Sequence, residues 1–179
     1  GADISHMVAM APGSSRAFVA NIGSGSVTVI DLEAGAQVAT VATGDGAEGV
    51  AVTPDGRQVW VTNRAADTVT VLDAATLEPL ATFASEGFPI RATAAGESVL
   101  VTRARAGDLM IYDTAEPGQG RRVAFDLEAK GVEGRLFGDR FGDSSVPIGV
   151  VVDGDGRRAF VAHANADVIT EIELASRES

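Results

Sequence analysis

Residues 47–73 read AEGVAVTPDGRQVWVTNRAADTVTVLD, and three short apolar runs punctuate them. Val50-Ala51-Val52 precedes a Pro54-Asp55-Gly56 turn, the run from Val59 to Asn63 follows it, and Thr68 to Asp73 comes after a small polar turn. Bulky residues alternate with small or polar ones at period two. That is the pattern of strands, and Pro, Asp and Gly stand where hairpins need them. The stretch therefore predicts three strands of an antiparallel meander, with a fourth at Leu80–Phe83 after the polar segment AATLEP.

The same unit lies along the chain three more times. An earlier copy, HMVAMAPGSSRAFVANIGSGSVTVIDL, ends its third run at Asp31 and Leu32, a later one, PIRATAAGESVLVTRARAGDLMIYD, at Asp113, and the last, PIGVVVDGDGRRAFVAHANADVITEIE, at Glu173. The copies agree at Phe18, Trp60, Leu100 and Phe160 and at Val19, Val61, Val101 and Val161. A period of about 40 residues with four strands per repeat is that of a β-propeller blade, so the predicted fold class is all-β, a propeller of four-stranded antiparallel blades.

Phe18-Val19-Ala20-Asn21 and Trp60-Val61-Thr62-Asn63, each beside a Gly-containing turn and a TVxVxD-like strand, resemble the YVTN repeat of the YncE-like β-propeller family. Arg103 and His163 replace the asparagine in the later copies. The resemblance implies an extracytoplasmic bacterial or archaeal propeller, commonly of seven blades, periplasmic or secreted. It also implies an architecture related to lactonases and to the propellers of nitrite reductase and amine dehydrogenase.

Composition narrows the partners. Among 179 residues, 14 Lys and Arg face 25 Asp and Glu, a net charge of −11, so the long-range field repels nucleic acid and anionic membranes. The hydrophobic share of 45% suffices for a core, and no apolar run reaches the length of a membrane helix. The absence of cysteine excludes disulfides and thiolate metal sites.

In chain order the blades are expected at about residues 1–44, 45–86, 87–127 and 147–174, with an inserted loop at about 128–146. The outer strand of the third blade is placed at Arg122–Leu127, and the fourth blade lacks an outer strand. An open arc would leave two apolar blade faces bare, so the chain reads as about four blades of roughly seven, unless it closes as a four-bladed ring or pairs with a second copy. The insert carries Arg135, Phe137, Arg140 and Phe141 in a glycine-rich, mixed-charge setting. Long loops on rigid scaffolds often carry function, and a decorative excursion is the alternative.

The first residues of the innermost strands face the mouth of a propeller channel. Aligned copies put His6, Glu48 and Arg91 around that rim. An imidazole, a carboxylate and a guanidinium so placed can bind an anion, a carboxylate or a sugar, or hold a metal through His6 and Glu48, and the alternative is a set of solvated, salt-linked mouth residues. His163 is expected to do structural duty at a strand end, and the tryptophan, Trp60, to pack between blades. Asp153-Gly154-Asp155-Gly156 reads as a strand turn rather than a calcium loop, and Asp31, Asp73 and Asp113 as acceptors for turn N–H groups.

No nucleophile elbow, zinc-protease helix motif or phosphate loop is present. The sequence therefore reads as a non-catalytic binding or scaffold propeller, with no cofactor or metal assigned, engaging a protein or small-molecule ligand at the channel mouth or the insert. A lactonase-like hydrolase or the propeller subunit of a periplasmic redox enzyme is the alternative.

Overall fold

A computed structural model describes residues 3–13, 15–135 and 137–174. Strands fill it in sets. β1 (Ser5–Met10), β2 (Arg16–Asn21), β3 (Ser26–Asp31) and β4 (Ala36–Ala42) form one antiparallel meander. β5 (Ala47–Val52), β6 (Gln58–Asn63), β7 (Thr68–Asp73) and β8 (Pro79–Ala84) form the second, and β9 (Pro89–Ala95), β10 (Ser98–Arg103), β11 (Asp108–Asp113) and β12 (Gly120–Ala124) the third. β13 (Pro147–Val152), β14 (Arg158–His163) and β15 (Val168–Glu173) make a sheet that is three-stranded among the described residues. The first strands of successive sheets lie side by side, β1 by β5, β5 by β9 and β9 by β13, so the sheets are blades fanned around an axis. This is a β-propeller architecture.

Each seam between blades is a dry apolar layer. Phe18, Val27 and Val29 of the first blade pack on Val50, Val59, Val61 and Leu72 of the second. Trp60, Val69 and Val71 of the second meet Val99, Val101 and Tyr112 of the third, and Leu100, Leu109 and Ile111 of the third meet Ala159, Val161 and Ile172 of the fourth. Fully burying one such Val, Leu or Phe contributes about 1.5–3 kcal/mol, so the seams rather than the strand ladders dominate the favourable side of folding. Trp60 is wholly buried, its ring centroid 5.9 Å from Phe83 and 6.1 Å from Tyr112, and its indole N–H donates to Gln58 Oε1 at 2.8 Å.

Three repeated polar devices hold the strand ends. The aspartates closing the third strands accept turn N–H groups: Asp31 from Glu33 and Ala34, Asp73 from Ala75 and Thr76, Asp113 from Ala115. At the other end, Asn21 Nδ2 donates to Thr28 Oγ1 and Asn63 Nδ2 to Thr70 Oγ1, both at 3.0 Å, while in the fourth blade His163 Nε2 lies 3.1 Å from Thr170 Oγ1. In the third blade Arg103 substitutes with a bidentate pair to buried Asp108 at 2.7 Å, which Arg122 also contacts. The last device crosses seams. Arg16 Nη1 donates to the carbonyls of Ala74 and Ala75 at 3.0 Å, and Gln58 Nε2 to that of Thr114 at 2.9 Å. Ser98 holds the equivalent place in the third blade, and there a groove of about 650 Å³ opens between Ser98, Tyr112, Arg121 and Leu174.

One sequence expectation changes, and the packing of the insert is added to it. The outer strand of the third blade is Gly120–Ala124, not Arg122–Leu127, because a short β11–β12 turn starts the pairing at Gly120 opposite Tyr112. The insert folds onto the blades rather than standing off as an excursion. After the 3-10 turn Val132–Gly134 it buries Phe141 and Val146 against Phe88, Ile90 and Ala104, and Ser144 Oγ donates to the Ala104 carbonyl at 2.5 Å.

Candidate functional site

Every innermost strand begins with a β-bulge at the same place. Register slips between Ser5 and Met7 in β1, between Ala47 and Val50 in β5, at Ile90 in β9 and between Pro147 and Gly149 in β13. A bulge adds a residue and re-aims its side chain. His6 and Glu48 are such bulge residues, and Arg91 is the first residue after the bulge of β9.

Gly49 makes the convergence possible. A Cβ there would stand 2.8 Å from the Ile90 carbonyl and 2.9 Å from Arg91 Cα, so only glycine lets the second and third blades approach this closely.

The structure brings His6, Glu48 and Arg91 together. Glu48 is only 3% exposed. Arg91 Nη1 donates to Glu48 Oε1 at 2.6 Å, and His6 Nδ1 lies 3.6 Å from the same oxygen. Arg64, on the turn after β6, was not foreseen. Its Nη1 lies 2.6 Å from Glu48 Oε2 as an ion pair without hydrogen-bond alignment, so that buried oxygen has no hydrogen donor. One carboxylate thus faces two guanidiniums and an imidazole, leaving a local excess of positive charge in an acidic chain.

Arg64 also joins this cluster to the insert. Its guanidinium lies 5.3 Å from the centre of the Phe88 ring, within cation–π range. Arg140 lies 5.3 Å from the Phe88 centre and 5.4 Å from that of Phe141, and Phe137 stacks edge-on to Phe141 at 5.2 Å. Phe88, the residue before β9, has φ 66, a left-handed conformation that costs about 1–3 kcal/mol for a bulky side chain and is held by these contacts. Arg135 behaves differently. It donates to the carbonyls of Lys130 at 2.6 Å and Gly142 at 2.5 Å, which ties the insert to itself.

The other sequence candidates fall to structural duties. His163 is buried between Ser145 Oγ at 2.9 Å and Thr170, edge-on to Phe125 at 4.5 Å, and burial pushes its imidazole below the ordinary range. Asp153 accepts N–H groups of Arg157 and Arg158 at 2.9 and 3.2 Å, as a strand turn does. Among the described residues no group of three His, Cys, Asp or Glu side chains is placed to hold a metal, and no helix is long and apolar enough to cross a membrane.

Fanned four-stranded blades with a charged rim where their inner strands begin define a β-propeller whose mouth is its candidate binding site. Residues 3–132 match the family model described as the cytochrome D1 heme domain, an eight-bladed β-propeller family, and the chain belongs to that family. The YVTN resemblance had implied about seven blades. Curated protein sequences give no match. Among solved structures the chain is similar to hydrazine synthase of Kuenenia stuttgartiensis (TM-score 0.81, 20% identity, 96% of this chain and 46% of that one). It is also similar to the dihydro-heme d1 dehydrogenase NirN solved in complex with DHE (0.71, 20%, 95% and 34%). A third similarity is to the Cps50 (Swd1) β-propeller domain of Myceliophteria thermophila (0.68, 13%, 98% and 59%). At these identities the likeness shows the propeller fold. The chain spans between 34% and 59% of the length of these proteins.

Proposed function

We propose that this chain is a ligand-binding propeller of the redox-associated kind, whose channel mouth takes an anionic, carboxylate-bearing ligand. The observation that carries this reading is the Glu48 cluster, in which Arg64 and Arg91 outnumber the one carboxylate between them beside a part-exposed His6. Family membership supports a tetrapyrrole as the ligand class. The YVTN-like repeats and the family together support a periplasmic setting.

The mouth residues fit such a group in their donor chemistry. A metal-binding imidazole is commonly oriented by a carboxylate on its other nitrogen, and His6 turns Nδ1 toward Glu48 at 3.6 Å, leaving Nε2 as the candidate donor. Arg64, Arg91 and Arg140 are cations suited to peripheral carboxylates, and Phe88 offers an apolar face beside them. When bound, the group would supply an iron centre for electron transfer. The chain's own part is to hold, orient and charge-match it, which keeps the reading that of a binding platform. The insert serves the same mouth through Arg140 and Phe141.

The test is titration of the chain with hemin, followed by its Soret absorption. A saturable shift that disappears in His6→Ala and weakens several-fold in Arg91→Ala is expected. Equal spectra for wild type and His6→Ala would overturn the reading.

A further inference from the structure

The turn before each third strand ends in a left-handed residue, and the blades fill that place differently. Gly25 (φ 58) and Gly107 (φ 70) hold it in the first and third blades, where glycine adopts the conformation freely. The second blade places Asp67 there at φ 54 and the fourth places Asp167 at φ 52. Aspartate tolerates this region better than most side chains, yet glycine suits it best, so each carboxylate calls for a task of its own. Asp167 has one in its ion pair with Lys130 of the insert.

A second left-handed residue stands one step before each innermost strand: Ile4 (φ 53), Gly46 (φ 73), Phe88 (φ 66) and Val146 (φ 54). At Phe88 the two features meet. Asp67 Oδ1 accepts the Gly87 N–H at 3.2 Å and the Phe88 N–H at 2.7 Å, reaching from the second blade to the entry of the third. The Phe88 carbonyl accepts the Ala104 N–H at 2.9 Å from within its own blade. The residue is gripped from both sides, which holds a bulky side chain in a strained conformation. Asp67 Oδ2 in turn accepts from Arg105 Nη2 at 2.5 Å, which fixes the carboxylate.

What the grip controls is a ring. Phe88 is 6% exposed, and the guanidiniums of Arg64 and Arg140 each lie 5.3 Å from its centre. Arg64 has no aligned hydrogen bond to Glu48, so the ring is the other contact that orients it. We infer that Asp67 is a positioning residue for the mouth: it sets the Phe88 ring, and through the ring it aims Arg64 and Arg140 at the anionic groups of the ligand. The inference rests on the proposed mouth site. Its distinctive content is that the acceptor oxygen of Asp67 matters and its charge does not.

The experiment compares Asp67→Gly with Asp67→Asn. Glycine is what the first and third blades carry at this position, so Asp67→Gly keeps the turn and removes the acceptor. Asp67→Asn keeps an amide oxygen for the two N–H groups and gives up only the part-exposed pair with Arg105, which contributes little. One readout is the NMR spectrum of the arginine Nε–H groups, in which the Phe88 ring current displaces Arg64 and Arg140. The other is hemin affinity from the Soret titration. Asp67→Gly should lose the displacement and bind hemin about tenfold more weakly, with no further loss when it is added to Phe88→Ala. Asp67→Asn should stay within about twofold of wild type. A displacement that survives Asp67→Gly, an asparagine as damaging as glycine, or independent losses from Asp67→Gly and Phe88→Ala would each overturn the inference. Hemin that fails to bind the wild type overturns the mouth reading instead, and the NMR displacement then still decides the grip on Phe88.

Discussion

Glu48 and Arg91 meet at 2.6 Å across the seam of the second and third blades, a carboxylate that is almost wholly buried held by a guanidinium from the neighbouring sheet. The pair stitches two blades at the point where the candidate ligand site lies, so stability and binding draw on the same atoms.

Glu48→Ala leaves Arg64 and Arg91 without their counter-charge. Removing one partner of a buried pair costs about 3–5 kcal/mol, and the part-exposed arginines place this case near the lower figure. Urea unfolding should show the loss, while the freed guanidiniums should raise affinity for a simple carboxylate such as citrate. A variant as stable as wild type would mean that the ion pairs contribute nothing.

Gly49→Ala should damage the same seam by a different route. Its methyl would press on the Ile90 carbonyl and the Arg91 backbone, neither of which can rotate away. Overpacking of this kind costs about 1–3 kcal/mol. A lowered melting temperature with weakened hemin binding is the expected pair of effects.

Burial holds the His163 imidazole below its ordinary value of 6.5. Below about that pH the unfolded chain takes up a proton that the folded chain refuses, so stability falls on acidification through this window and returns at neutral pH. Asp55, held low first by the Thr53 hydroxyl, and Asp73, held low first by the Thr76 N–H, act in a separate window, losing their contribution only below about 3.8. His163→Asn, the residue type of Asn21 and Asn63, should keep the bond to Thr170 and flatten melting temperature between pH 7.5 and 5.5. An unchanged slope would assign the effect elsewhere.

Phe141→Ala should release the insert. The ring is 6% exposed and touches Phe88, Phe137 and Arg140, and losing a buried Phe costs about 3–5 kcal/mol where it folds the core. Here the loss should be local, read as fast proteolytic cleavage between residues 128 and 146 with the blades intact.

The blades were legible because each strand repeats one pattern and the copies check one another. Phe18, Trp60 and Leu100, aligned from the sequence, occupy equivalent seam positions. The rim positions of His6, Glu48 and Arg91 followed from the same alignment. Arg64 and Phe88 did not, because they sit in a turn and a blade connection, where no period constrains the chain and tertiary contact alone decides position. The only available signal was composition, an arginine and a phenylalanine each near a glycine turn. The insert hid its packing for the same reason, and its aromatic residues were the one clue that it would not stay in water. The end of the third blade's outer strand moved because turn length, not hydrophobic pattern, sets where pairing starts.

Ser98 has a mechanical consequence. Where Arg16 and Gln58 fasten their blades to the next, this short side chain makes no such latch among the described residues, and a groove opens beside Leu174. The seam between the third and fourth sheets therefore lacks the side-chain latch that the first two seams carry. Amide exchange in β13–β15 should outpace that in β5–β7, and a pulling force should peel the last sheet away first.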